Sequence, residues 1–146
     1  LKPLFFLALF ISSYALKGNA IEEPLDAYQD KYVNSFCSKE TRTTIICEDD
    51  RDTLMGNRAD SRAEFEDEKL IRLDYSLTGG EKVARTIAAE LVKQYGNPAS
   101  ETDLQDSLSW VWNDDRTELS LSYTSAAENS LGHPYIRVYI AAVRQN

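Results

Sequence analysis

TGGEKVARTIAAELVKQYGNP, residues 78–98, reads as one amphipathic helix with both ends marked. Thr78 and Glu81 stand at capping-box spacing, where each can satisfy a backbone N–H of the first turn. Val83, Ala84, Ile87, Ala88, Leu91, Val92 and Tyr95 recur at steps of three and four and form one apolar stripe. Glu90, Lys93 and Gln94 fall on the wet side. Gly96 suits the left-handed residue that ends a helix, and Pro98 prevents its resumption. The segments around this helix alternate with strand period, so they need such a helix to cover them.

Working back towards the N-terminus, Ile71, Leu73, Tyr75 and Leu77 alternate on a strand that feeds directly into the helix. Ala59, Ala63 and Phe65 lie on its hairpin partner, with Asp67, Glu68 and Lys69 as the turn. The acidic stretch from Glu48 to Asn57 reads as a loop, and it lacks the alternating ligands, central Gly and closing Glu of a calcium loop. Thr41 to Glu48 is β-branched and reads as a strand with Thr43, Ile45 and Cys47 on one face. From Ile21 to Phe36, Pro24 suits a first helical turn, and Leu25, Tyr28, Tyr32 and Phe36 follow at helical spacing.

Beyond Pro98, Ala99 to Asp106 reads as a polar connection. Leu108, Trp110 and Trp112 alternate on one strand, and Leu119, Leu121 and Tyr123 on the next, with Asn113-Asp114-Asp115 as the turn. Tyr135 to Ala142 places Ile136, Val138 and Ile140 inward and Tyr135, Arg137 and Tyr139 outward. The element order is helix-β-β-β twice, which would suit an internal duplication. The expected fold is therefore α+β: a two-layer sandwich of about six antiparallel strands with two helices on one face.

Residues 1–20 are expected to be a signal peptide, leaving residues 21–146 as a single α+β domain. Lys2 supplies a positive start, Leu4 to Ile11 an apolar run, and Gly18-Asn19-Ala20 small residues before a cut at Ile21. The run is shorter than the roughly 20 residues a membrane span takes, so no span is expected after cleavage. A cut there removes Lys2 and Lys17 and no acid, lowering the net charge from −8 to −10. Such acidity argues against nucleic acid and against anionic lipid headgroups, both of which demand clustered Lys and Arg. Cys37 and Cys47 are the only cysteines, and in an exported chain they are expected to form a disulfide. A periplasmic or secreted location follows.

Catalytic chemistry is hard to assemble from these residues. The single histidine, His133, sits in a Gly-His-Pro turn, and no Gly-x-Ser-x-Gly elbow accompanies it. One imidazole and an oxidised cysteine pair leave no zinc set, so no metal and no cofactor is expected. With 24 acidic residues some close carboxylate pair is inevitable, which makes any chosen pair uninformative. Trp110 and Trp112 read as core beneath the helix rather than as a rim anchor. Tyr135, Arg137 and Tyr139, with Ser120 and Ser122, form the candidate interaction surface on the open sheet face.

The Cys pair, Phe65-Glu66-Asp67-Glu68-Lys69-Leu70, Tyr95-Gly96-Asn97-Pro98, the Trp strand and Leu119-Ser120-Leu121 together resemble small exported bacterial proteins of unknown function. More distantly the arrangement is similar to the β-lactamase-inhibitor-protein-like fold, which includes a small lipoprotein of outer-membrane protein assembly. The chain departs from that lipoprotein in lacking a lipidated Cys and a Gly-Met-Thr helix start. The resemblance covers roughly Cys37 to Tyr123 and implies binding to proteins through sheet and loops. The expected function is thus an exported, non-enzymatic protein-binding domain. The alternatives are an inhibitor of a secreted hydrolase and a small-molecule binding module with a pocket between helix and sheet.

Overall fold

The structure is a computed structural model and describes residues 14–143. Its elements run β1 (Ala15–Leu16), β2 (Asn19–Ala20), α1 (Leu25–Lys31), β3 (Phe36–Lys39), β4 (Thr44–Leu54), β5 (Asn57–Glu66) and β6 (Lys69–Thr78). Then follow α2 (Glu81–Tyr95), β7 (Ser100–Leu104), β8 (Ser107–Asn113), β9 (Thr117–Thr124) and β10 (Tyr135–Ala142). Strands β3 to β10 form one eight-stranded sheet in the order β3-β4-β5-β6-β10-β9-β8-β7, antiparallel throughout. Each half is a helix followed by a four-stranded meander, and the halves join where β6 pairs with β10. The α+β class is as expected. The repeating unit has four strands rather than three, because β3 also pairs with β4 and β7 with β8.

Both unforeseen strands are the outer edges of the sheet. An edge strand without cover on either face has no reason to alternate, and all five residues of β7 are exposed. The stretch expected to be an acidic loop is also strand, since β4 continues to Leu54 across a bulge between Asp49 and Asp52. The bulge restores the facing, so that Asp52 and Leu54 turn to the covered side. The first helix is shorter than its spacing suggested. It ends at Lys31, and Phe36 sits 74% exposed on β3.

The helix α2 ends where expected, but its start differs. Gly80 is the N-cap, no side chain caps it, and Thr78 belongs to β6. Glu81 instead pairs with Arg85 one turn on. Gly79 packs closely on β10: a Cβ there would lie 3.0 Å from Ile136 Cδ1, which would have to give way by a few tenths of an ångström. The C-terminus is as read, with Gly96 at φ 81° and its N–H bonded to Val92. Trp112 Nε1 donates to the Gly96 carbonyl at 2.9 Å, tying β8 to the helix end.

The core lies on one side of the sheet. Leu73, Tyr75, Leu77, Leu119, Leu121, Ile136, Val138 and Ile140 meet Ala84, Ile87, Ala88 and Leu91 of α2, and Trp110 and Trp112 are buried among them. On the same side, Tyr28 of α1 packs edge-on to Phe65 with ring centres 5.3 Å apart. Burying such side chains contributes about 1.5–3 kcal/mol each.

Of the expected leader, residues 1–13 lie outside the described residues. Tyr14 to Ala20 are folded, as a hairpin on the covered side that turns at Lys17-Gly18 with both φ positive. Leu16 is buried in the core, and Ala15 exchanges hydrogen bonds with the Tyr95 hydroxyl at 2.7 and 3.1 Å. Asn19 is fully buried; its Nδ2 donates to Leu16 O and to the Tyr32 hydroxyl, and its Oδ1 accepts from Lys31. Lys17 Nζ meets Asp52 at 2.5 Å.

Candidate interaction face

Period-two alternation decides what the open face carries. Because Ile136, Val138 and Ile140 face the helices, Tyr135, Arg137 and Tyr139 must face away, and the register fixes their neighbours. Tyr139 lies opposite Asp74 on β6 and Ser120 on β9, while Arg137 lies opposite Ser76 and Ser122. All five residues expected as an interaction surface therefore share one face, on the neighbouring strands β10 and β9. Ser109 and Val111 of β8 extend the rows outward with small side chains.

The centre of this face is a built polar cluster. Asp74 is nearly buried and takes Arg72 Nε at 2.7 Å from its own strand and Arg137 Nε and Nη2 at 2.8 and 2.7 Å from β10. Both guanidinium groups stack on the Tyr139 ring, at 4.3 and 5.2 Å from its centre. The Tyr139 hydroxyl donates to Glu118 at 2.7 Å. Burial and the acceptor Glu118 raise the Tyr139 pKa above that of an ordinary phenol. Burial works against the Arg72 charge, yet the hydrogen bond and charge of Asp74 raise its pKa on balance. Arg72, Asp74 and Glu118 were not foreseen. Their outward facing follows from alternation along β6 and β9, but their meeting with β10 depends on strand order.

At one end of the same face lies an open cleft of about 470 Å³. Arg58 and Asp60 of β5, Ser76 and Thr78 of β6, Tyr135, and Leu131 and His133 of the β9–β10 loop line it. The Tyr135 hydroxyl donates to Ser76 Oγ at 2.9 Å. Asn129 holds the loop, its Nδ2 donating to Ser125 O at 2.9 Å and His133 O at 3.0 Å.

The covered side holds a second polar cluster, beneath the hairpin. Tyr28 and Tyr75 bury their hydroxyls there, beside Ser61 and Tyr32. Burial first, and the nearby Tyr32 and Asp52 next, push both phenol pKa values up. The two buried carboxylates, Asp52 and Asp74, lie on opposite faces of the sheet, each held by a cation. They are therefore not a catalytic pair. Among the described residues no group of three or more His, Cys, Asp or Glu could hold a metal ion, and no helix is long and apolar enough to cross a membrane. Cys37 and Cys47 face each other across β3 and β4 and are joined by a disulfide, consistent with an exported protein. No known protein family, curated protein or solved structure matches the chain.

Proposed function

We propose that this chain is an exported, non-enzymatic domain that binds another protein on the open face of its sheet, in the periplasm or outside the cell. The observation carrying this reading is the gathering of Tyr135, Arg137 and Tyr139 with Ser120 and Ser122 on the face opposite both helices. Tyr and Arg are enriched among the residues that dominate the energy of protein interfaces, Tyr for its large, rigid, amphipathic ring and Arg for its planar, multidentate guanidinium. Here Arg72, Arg137 and Tyr139 are already fixed by Asp74 and Glu118, so docking would cost little side-chain entropy. The small Ser120 and Ser122 beside them leave room for a partner's side chains. The net charge of −8 would speed encounter with a basic partner.

The test is crosslinking capture of the tagged protein in its native envelope, followed by mass spectrometry. Ser122→Glu places charge and bulk on the face without touching the core, and should abolish capture of the partner. A partner captured equally by wild type, Ser122→Glu and Tyr139→Ala would remove the open face from the reading.

A further inference from the structure

We infer that the cleft at the end of the open face binds a small zwitterion of the free α-amino-acid class. The inference goes beyond the docking reading and stands without it. Most charged side chains of the open face are already committed. Arg62 pairs with Glu64, Arg72 and Arg137 share Asp74, Glu118 accepts from Tyr139, and Glu66 accepts from Thr43 and Thr44. Arg58 and Asp60 are different. Both line the cleft, both are exposed, and neither makes an ion pair or a side-chain hydrogen bond with another described residue. A guanidinium and a carboxylate two residues apart on one strand point to the same side, about 7 Å apart along the chain.

The remaining walls suit the same ligand. The His133 Nδ1 lies 3.0 Å from the Pro134 carbonyl, which can only accept, so the tautomer that makes this hydrogen bond with a neutral ring carries its proton on Nδ1. Nε2 is then an acceptor, like the Asp60 carboxylate. The cleft thus offers one planar cationic donor for a carboxylate and two acceptors for an ammonium group, with the Tyr135 ring and Leu131 as apolar walls. Its 470 Å³ falls in the range of about 300–1,000 Å³ usual for small-molecule sites. The loop wall is preorganised by the Asn129 hydrogen bonds, so closing on a ligand would not require ordering it.

The test is calorimetric titration of the chain with the twenty standard amino acids, one at a time, in the absence of any partner protein. At least one should bind. Arg58→Gln and Asp60→Asn should each weaken that binding about tenfold to a hundredfold, the range for losing a charge-assisted hydrogen bond. Glu90→Gln, on the exposed side of α2, should leave it unchanged. The acid's amide and its decarboxylated amine, each lacking one charge, should both bind more weakly. Absence of binding at millimolar concentration for all twenty would overturn the inference, as would binding that Arg58→Gln and Asp60→Asn leave intact. Either result leaves the docking reading standing, because capture of a partner is read separately.

Discussion

The N-terminal hairpin is the part of the fold whose contribution is most open to measurement. A chain beginning at Ile21 would lack Leu16, Lys17 and Asn19, and three costs follow from the contacts they make. Leu16 is 2% exposed, and deleting a buried leucine costs about 2–5 kcal/mol. Lys17 neutralises Asp52, a carboxylate 7% exposed, and removing one partner of a buried pair costs about 3–5 kcal/mol. Lys17 itself is 27% exposed, so water screens the pair and the lower end applies. Loss of Asn19 and Ala15 strips Tyr32 and Tyr95 of hydrogen bonds, each contributing about 1 kcal/mol. Together these reach about 7 kcal/mol, as large as the whole stability of many domains, about 5–15 kcal/mol. Guanidinium denaturation followed by circular dichroism and tryptophan fluorescence should show a chain from Ser12 unfolding cooperatively. The chain from Ile21 should be unfolded or lack a cooperative transition, and Leu16→Ala in the longer chain should lose about 2–5 kcal/mol. If the Ile21 chain matches the longer one within about 1 kcal/mol, the hairpin is not structural and the reasoning fails. The N-terminal mass of the protein isolated from its own cells asks the same question; retention of Leu16 to Asn19 is the expected outcome.

Three further outcomes are expected. Tyr28 and Tyr75 have folded-state pKa values above the ordinary phenol value of 10.0, so the unfolded chain loses these protons first. Stability should therefore be independent of these groups below pH 10 and fall above it, by up to about 2.7 kcal/mol per pH unit for the two together. Phenolate absorbance of the two should appear together with loss of ellipticity. Thiol titration without reductant should find no free thiol; Cys37→Ser with Cys47→Ser should lower denaturant stability by about 2.5–3 kcal/mol, the loop-closure value for ten residues of separation. Arg72→Ala or Arg137→Ala alone should cost about 1 kcal/mol, because the other guanidinium still holds Asp74, whereas the double variant should cost about 3–5 kcal/mol; additive single effects would argue against a shared carboxylate.

What could be read in advance follows from where water is excluded on one side only. The stripe from Val83 to Tyr95 and the alternations through Leu73, Leu119 and Ile136 are legible because each faces a core with one side and solvent with the other. The same alternation placed Tyr135, Arg137 and Tyr139 on the opposite face. Edge strands β3 and β7 carry no such contrast, so Ser100 to Leu104 passed for a connection. The acids of Glu48 to Leu54 also misled, because Asp52 is turned inward by a bulge and neutralised by a lysine 35 residues away. The Thr78–Glu81 capping box failed for a related reason: strand pairing of Thr78 with Tyr135 outcompeted the cap.

The sequence by itself determined the α+β class, the long helix and its C-terminal end, the cysteine pair, and which residues of β10 face outward. These are local consequences of periodicity and backbone preference, complete within a few turns or strand repeats. Only the tertiary structure decided that β6 and β10 lie side by side. That pairing brings Arg72, Asp74, Arg137 and Tyr139 into one cluster and sets Arg58 and Asp60 across a cleft from His133. Strand order is a choice among long-range pairings that bury nearly the same apolar surface, and no short stretch of chain encodes it. The hairpin of residues 14–20 shows the same limit: its small and apolar residues fit a cleavage site as well as a core, and the contacts with Asp52, Lys31 and Tyr95 exist only once the chain has folded.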